Sequence, residues 1–140
     1  MYHPITIVSE ALDALSRGDI ERHLMYIADD VVLQEVVAGD VETAIRGRDA
    51  YTEFVTELKE AGVLTGFEIG GGGPTGDSWV RAVMHAREVL EYEDGTVEPP
   101  SIVSSDEFVE VRQGLIHSMM IFGRGGSEPG YAFSVSQPNE

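Results

Sequence analysis

The segment from residue 27 to residue 37 reads IADDVVLQEVV and marks the point where the chain changes character. Up to Asp29-Asp30 the apolar residues recur at helical spacing, whereas the residues from Val31 onward are rich in β-branched types, which favour strands. Along this strand, alternation places Glu35 on the same face as Val31, Leu33 and Val37. The segment therefore predicts a junction between helices and sheet, with one carboxylate in an otherwise apolar row.

Three helices are predicted around this junction. The first stops at Gly18, and the second begins at Asp19, a residue type that caps helix N-termini. The third helix lies between Gly47 and Gly62. Their apolar faces are, in chain order, Val8, Ala11, Leu12 and Leu15; Ile20, Leu24, Ile27 and Ala28; and Tyr51, Phe54, Val55 and Leu58.

The remainder of the chain is predicted to be extended. Strands are expected over roughly residues 63–69, 78–92, 102–112 and 115–122, with hairpin turns at Asp94-Gly95 and Gln113-Gly114. The glycine run 70–73 lacks the lysine and the following helix of a phosphate-binding loop, so a flexible loop is expected there. Helices followed by strands predict an α+β domain over residues 1–123, with the helices on one face of a mainly antiparallel sheet, and a C-terminal tail over residues 124–140.

Charge and composition exclude several functions. The 140 residues include 9 Lys+Arg and 25 Asp+Glu, and the resulting formal charge of −16 repels nucleic acids and anionic membrane surfaces. The chain has no cysteine, and its four histidines lack the spacing of a zinc site, so no bound metal is expected. Because no apolar run is long enough to span a bilayer and Met1–Pro4 shows no secretory signal, we expect a cytoplasmic protein.

Three short motifs carry a resemblance to a known family. They are Gly18-Asp19-Ile20-Glu21, the start of the 27–37 segment, and Ile45-Arg46-Gly47-Arg48. In this order they resemble the NTF2-like superfamily, in particular its ketosteroid-isomerase-like and SnoaL-like branches, over roughly residues 7–123. The resemblance implies a cone in which a curved sheet wraps three helices around one largely apolar pocket, often in a homodimer, with no cofactor.

Two carboxylates are the candidate acid and base. Glu35 lies five residues after Asp30, where the resemblance to the isomerases places their catalytic base, and burial in its apolar row would raise its pKa. Asp106 lies eight residues before Gly114, where the resemblance places the protonated acid that stabilises an oxyanion; ketosteroid isomerase is the standard example of such a neutral acid. Glu107 would then point outward, although alternation alone allows either residue to face the pocket.

The walls of the pocket depend on the register of the strand over residues 78–92. A two-residue turn at Asp94-Gly95 pairs Val83 with Asp106 and sends their row into the pocket, whereas a longer turn leaves that row on the outer face, where dimers of this family pack. Further polar candidates come from the second and third helices and the last strand. The predicted polar pocket residues are Tyr26, Tyr51, Trp79, Arg81, His85, Arg87 and His117, and the predicted apolar walls are Phe54, Val83, Met119 and Ile121.

The function that these features favour is cofactor-free acid–base chemistry, of the isomerase or cyclase type, on an apolar polycyclic or terpenoid-like ligand. Ala11, Ile27 and Val55 stand where the isomerases have tyrosines, and Gly123 where they have a tryptophan, so other outcomes stay open. One alternative is an epoxide-opening enzyme that uses Glu35 and Asp106 with Arg81. Another is a noncatalytic ligand-binding or dimerisation module of the same fold.

Overall fold

The computed structural model describes residues 3–37, 39–62, 64–72, 78–88, 92–97 and 101–124. It contains three helices and six strands within these residues. In chain order they are α1 (Pro4–Ser16), α2 (Ile20–Leu24), β1 (Ile27–Val37), β2 (Asp40–Arg46), α3 (Arg48–Ala61), β3 (Leu64–Gly72), β4 (Ser78–Glu88), β5 (Ser101–Arg112) and β6 (Leu115–Arg124).

The helices begin and end where the sequence predicted, with one exception. The Asp19 side chain accepts a hydrogen bond from the backbone N–H of Arg22 at 3.2 Å, and Gly62 ends α3 in the left-handed conformation. The exception is α2, which ends at Leu24, so that Ile27 and Ala28 belong to β1 and are buried there. The apolar residues predicted to form one helix belong partly to α2 and partly to β1, because the apolar pattern continues across the boundary between them.

The strands form one sheet in the order β2-β1-β6-β5-β4-β3. Only the β1–β6 pair is parallel within this sheet, and the other neighbours are antiparallel. Breaks in register occur in four of the five strand pairs, and such bulges bend and twist a sheet. The α+β class and the curved, mainly antiparallel sheet are therefore confirmed.

The sequence reading missed one strand and misplaced part of another. Strand β2 follows β1 directly and pairs with it from Val37↔Asp40 to Val32↔Arg46. Strand β3 extends to Gly72, so the first three glycines of the run lie in a strand rather than in a loop. Residues 73–77 and 125–140 lie outside the described residues, so the predicted C-terminal tail stays a prediction beyond Arg124.

The register between β4 and β5 was predicted correctly. Val83 pairs with Asp106, the pairing expected from a two-residue turn, but the turn itself spans three residues, since the Tyr92 carbonyl oxygen accepts from Gly95 N–H at 2.9 Å and Tyr92 N–H donates to the Thr96 carbonyl oxygen at 2.8 Å. At that turn the Asp94 carboxylate accepts a hydrogen bond from the backbone N–H of Thr96 at 2.8 Å. The register of β4 and β5 therefore does not follow from a two-residue turn, and it does not determine which face of the two strands packs against the helices.

The helices lie against one face of the sheet, which we call the inner face. On β4 the inner-face residues are Val80, Ala82, Met84 and Ala86, and all four have no exposed surface. The alternate residues of β4 and their partners form the outer face, which includes Trp79 at 45% exposure. None of the described helices is long and apolar enough to cross a membrane.

Candidate functional site

A small cavity lies between α1, α3 and the inner face of β1, β5 and β6. Its volume is about 20 Å³, room for about one water molecule. The two polar side chains on its wall are Tyr51 and Glu107. The remaining wall residues are apolar and comprise Leu12, Leu15, Leu33, Phe54, Val55, Leu58, Met119 and Ile121.

Glu107 is the carboxylate of this cavity. It is 3% exposed, and its neighbours in register are Ala82 on β4 and Ile121 on β6, both apolar. Within the described part of the chain its carboxyl makes no hydrogen bond or ion pair, and burial raises its pKa to about 7. A group with this pKa can hold or release a proton near neutral pH, which is what acid–base chemistry requires.

The second polar wall residue, Tyr51, belongs to a buried chain of hydrogen bonds. The Tyr51 hydroxyl lies 2.7 Å from Nε2 of His23, and Nδ1 of His23 lies 2.6 Å from the carbonyl oxygen of Ala11. His23 is 1% exposed and Tyr51 2%. Burial lowers the pKa of His23, against the opposing effect of the Ala11 carbonyl. Burial, and secondly the charge of Glu107, raise the pKa of Tyr51 well above its usual value.

Glu35 shares the inner face with the cavity residues, as the sequence predicted from its alternation with Leu33. In register, Glu35 pairs with Ile121, which in turn pairs with Glu107, so the two carboxylate residues lie two strands apart in one row across the sheet. Two strand spacings separate their backbones by roughly 10 Å. Glu35 is half-buried and is not among the described residues that line the cavity.

Asp106 lies on the outer face, so its expected position in the pocket is wrong, as is the expected outward position of Glu107. Arg81 Nη2 donates a hydrogen bond to Asp106 Oδ1 at 2.9 Å, and both side chains are partly exposed, Arg81 47% and Asp106 21%. The physical reason is the β4 row of Val80, Ala82, Met84 and Ala86, which packs entirely against the core and forces the Asp106 row outward. The epoxide-opening arrangement of Glu35 with Asp106 and Arg81 is therefore not assembled on one face.

The rest of the β4 row goes outward with Asp106, which corrects the expected polar pocket. Nε2 of His85 contacts a Glu68 carboxylate oxygen at 2.8 Å, and its Nδ1 contacts the Ser104 hydroxyl at 2.8 Å. Val83 is 9% exposed and also lies on the outer face. Neither these residues nor the other members of the row, Trp79, Arg81 and Arg87, are among those that line the cavity.

Two further predicted pocket residues lie elsewhere on the surface. The Tyr26 hydroxyl donates to a Glu10 carboxylate oxygen at 2.7 Å, and Nδ1 of His117 lies 3.0 Å from Asp30 Oδ1. Neither lines the described cavity. In contrast, the predicted residues Tyr51, Phe54, Met119 and Ile121 all stand on its wall.

Sequence reasoning passed over Glu107 and His23. A signal existed for both. Glu107 alternates with Val109 and Val111, which are buried, and His23 falls three residues after Ile20 on the apolar side of α2. Among the described residues no cluster of three or more His, Asp or Glu side chains is arranged to hold a metal ion.

A larger cleft adjoins the cavity at the C-terminal ends of α1 and α3. Its volume is about 230 Å³, and it shares two wall residues, Leu15 and Leu58, with the cavity. Arg17 and Lys59 are among the residues that line it. Leu15 and Leu58 therefore border both the cavity and a cleft that is open to solvent.

The fold, a curved, mainly antiparallel sheet with the helices on one face, is NTF2-like. No family model matches the sequence, and a comparison with curated proteins finds no match. Solved structures are similar, among them an NTF2-like protein of unknown function from Cytophaga hutchinsonii, at 10% identity and a TM-score of 0.55, covering 88% of this chain and 92% of that one.

Two other similar structures carry a chemical description. A proposed polyketide cyclase from Xanthomonas campestris pv. campestris is 20% identical, with a TM-score of 0.57 over 83% of this chain and 86% of that one. A Mycobacterium tuberculosis protein in complex with estradiol-17β-hemisuccinate is 19% identical, with a TM-score of 0.60 over 91% of this chain and 98% of that one. At these identities the similarity shows a shared fold and nothing about activity.

Proposed function

We propose that this protein binds a small, mainly apolar organic ligand on the inner face of its sheet and performs cofactor-free acid–base chemistry on it, as an isomerase or cyclase of the ketosteroid-isomerase-like or SnoaL-like type. The observation that carries this proposal is Glu107. It is a buried carboxyl without a hydrogen bond or ion pair among the described residues, in an apolar cavity, with a pKa raised to about 7. Burying such a group costs stability, and function is the usual reason that it is retained.

Glu107 takes the role that the sequence assigned to its neighbour Asp106. In its protonated form it donates a hydrogen bond to a ligand oxygen and stabilises the negative charge that develops there when a proton leaves the adjacent carbon. Glu35, on the same face, is the proposed base that accepts this proton and returns it at another position. The proton taken from the ligand is thus the proton given back, and no oxidant or cofactor is needed.

The size of the ligand requires an opening. The cavity holds about one water, whereas an apolar ring system needs a pocket on the order of 300 Å³. Rotation of Leu15 and Leu58 would join the cavity to the adjoining cleft of about 230 Å³. We propose that the ligand reaches Glu107 between these two side chains. The steroid bound by the Mycobacterium tuberculosis protein and the activity proposed for the Xanthomonas protein support a ligand of this class.

Proton exchange on a simple ketone tests the chemistry without knowledge of the natural substrate. The wild type should accelerate exchange of the protons beside the carbonyl of 1-tetralone in deuterated buffer, followed by proton NMR. Glu107→Gln and Glu35→Gln should each slow this exchange about tenfold or more, since a general acid or base contributes at least that much. Asp106→Asn, the adjacent carboxyl on the outer face, is the matched control and should leave the rate unchanged.

A noncatalytic ligand-binding module is the second candidate, and it is favoured by Ala11, Ile27 and Val55, which stand where the isomerases have tyrosines. The same variants distinguish the two candidate functions. If the protein binds estradiol-17β-hemisuccinate but exchanges 1-tetralone protons no faster than Glu107→Gln does, the acid–base proposal is wrong and the binding module stands. Leu15→Ala should speed association of the steroid if the route between Leu15 and Leu58 is correct.

We also propose that two copies associate through the outer face. Trp79 and Ile102 are 45% and 58% exposed there, and Phe108 and Phe122 form an edge-to-face pair with ring centroids 5.6 Å apart on the same face. Exposed apolar surface of this kind is typical of an interface. Light scattering should give the mass of a dimer, and Ile102→Glu should give that of a monomer. A monomeric wild type would refute the association.

A further inference from the structure

His23 is a buried titratable residue that the proposed chemistry leaves unused. It lies between the Ala11 carbonyl oxygen, 2.6 Å from its Nδ1, and the Tyr51 hydroxyl, 2.7 Å from its Nε2. A carbonyl oxygen can only accept a hydrogen bond, so Nδ1 must carry a proton. The contact with Ala11 therefore selects the tautomer of His23.

The tautomer of His23 in turn sets the direction of the Tyr51 hydrogen bond. Burial lowers the pKa of His23 and keeps the ring neutral, so Nε2 has a lone pair and no proton. Tyr51 must then donate its proton to Nε2. A phenol has one proton, and here Tyr51 gives it to His23. The Tyr51 hydroxyl therefore cannot donate a hydrogen bond to Met119 Sδ, which lies 3.8 Å away.

We infer that His23 is a positioning residue that holds Tyr51 as a hydrogen-bond acceptor toward the cavity, opposite Glu107 as a donor, so that the site selects ligands that carry both a carbonyl oxygen and a hydroxyl or enol group. The ligand oxygen binds the Glu107 carboxyl, and the ligand hydroxyl donates to the Tyr51 oxygen. A ligand that offers only acceptors leaves the Tyr51 lone pair unpaired in a buried site, which is costly. This inference rests on the proposed binding of a ligand at Glu107, and it names the class of that ligand.

The tautomer can be observed in the unmodified protein. Nitrogen-15 NMR of the histidine rings should show His23 as a neutral ring with its proton on Nδ1 and none on Nε2, at pH 7. A proton on Nε2 would overturn the inference, because Tyr51 would then accept from His23 and its own proton would be free to point into the cavity. This measurement does not depend on any ligand.

Two matched ketones test the selection. 6-Hydroxy-1-tetralone and 6-methoxy-1-tetralone share a ring system and a carbonyl, and only the first can donate. Titration calorimetry should give the wild type a preference of about tenfold or more for the hydroxy compound, the usual size of one buried hydrogen bond. Tyr51→Phe should abolish the preference, because the acceptor is lost.

His23→Leu separates a positioning role from a merely structural one. Without Nε2 the Tyr51 proton becomes available to the ligand, so the preference for the hydroxy compound should fall below about twofold while binding of the methoxy compound persists or improves. A structural role would weaken both compounds equally and leave their ratio unchanged, which would overturn the inference. If His23→Leu does not fold, the tautomer measured by NMR and the ligand preference of Tyr51→Phe test the positioning role of His23.

Failure of the wider proposal has a different signature. Loss of affinity for both tetralones in Glu107→Gln, with no difference between the hydroxy and methoxy compounds in the wild type, would refute the role of His23 and leave ligand binding at Glu107 intact. An absence of binding by either tetralone would refute both the ligand class and the ligand site, whatever the tautomer.

Discussion

The two faces of the sheet place neighbouring carboxyl side chains in opposite environments. Glu107 and Asp106 are neighbours on β5, yet the first is 3% exposed with no ion pair among the described residues, and the second accepts a hydrogen bond from Arg81 at the outer surface. Burial raises the pKa of Glu107 to about 7. A shift of one residue along a strand therefore decides whether a carboxyl is buried with a raised pKa or part of a surface ion pair.

The two faces also differ in what holds them together. The inner face is packed, with Met84, Val109 and Ile121 at 0–1% exposure in one core. On the outer face, polar contacts such as His85–Glu68 and Arg81–Asp106 lie between partly exposed side chains. Apolar burial is worth more than exposed ion pairs, so the inner face should carry most of the stability.

The largest expected effect is therefore a packing change on the inner face. Met84→Ala removes a side chain with no exposed surface and should cost about 2–5 kcal/mol of unfolding free energy, measured by urea denaturation. Val41→Ala, on the outer face of β2 at 53% exposure and not among the residues proposed for the dimer contact, is the control and should change stability by less than about 0.5 kcal/mol. Equal losses would mean that the outer face is as tightly packed as the inner one.

Much of the fold could be predicted from the sequence because local signals determine it. Asp19 and Gly62 cap helices through their own chemistry, and Gly95 adopts the left-handed conformation in the turn between β4 and β5. Strand β2 was missed, although it pairs with β1 along most of its length. Its presence depends on that pairing, which a local pattern does not reveal.

The site was harder to predict because its residues depend on which face packs against the helices. On β4 and β5 both rows contain apolar residues, so alternation permits either assignment. Packing against the helices determines which row faces inward, and no local sequence pattern shows that packing. Asp106 was preferred to Glu107 through the resemblance to the isomerases, and His23 was passed over because its partners, Ala11 and Tyr51, lie 12 and 28 residues away.

The next effect sharpens the contrast between the two carboxyls through pH. The pKa of Glu107 rises from 4.5 in the unfolded chain to about 7 in the fold, so its contribution to stability is complete below pH 4.5 and is lost as pH rises through 7. At about 1.4 kcal/mol per pKa unit the loss amounts to about 3 kcal/mol. Glu107→Gln lacks this dependence, so its stability relative to wild type should increase by about that amount between pH 4.5 and pH 8.

Thermal and urea unfolding across this pH range measure the effect. The quantity to follow is the change in the difference between variant and wild type, because the amide also introduces a constant cost of its own. Asp106→Asn is the control on the outer face and should show no comparable rise toward pH 8. A difference between Glu107→Gln and wild type that stays flat with pH would show that folding does not raise the pKa of Glu107, and the acid role would be lost.

The smallest effect concerns the outer ion pair, and it tests whether that face contributes anything specific. A double-mutant cycle with Arg81→Ala and Asp106→Asn should give a coupling energy of about 0.2–1 kcal/mol, because Arg81 is 47% exposed and solvent screens the pair. The coupling should shrink as salt rises from 0.01 to 1 M, where the screening length falls from about 30 Å to about 3 Å. A coupling above about 2 kcal/mol that persists in high salt would mean that the pair is shielded from water in solution. Since association through the outer face would provide that shielding, the cycle should then be repeated in Ile102→Glu. If the coupling falls there to the value of an exposed pair, the excess comes from the interface rather than from the sheet itself.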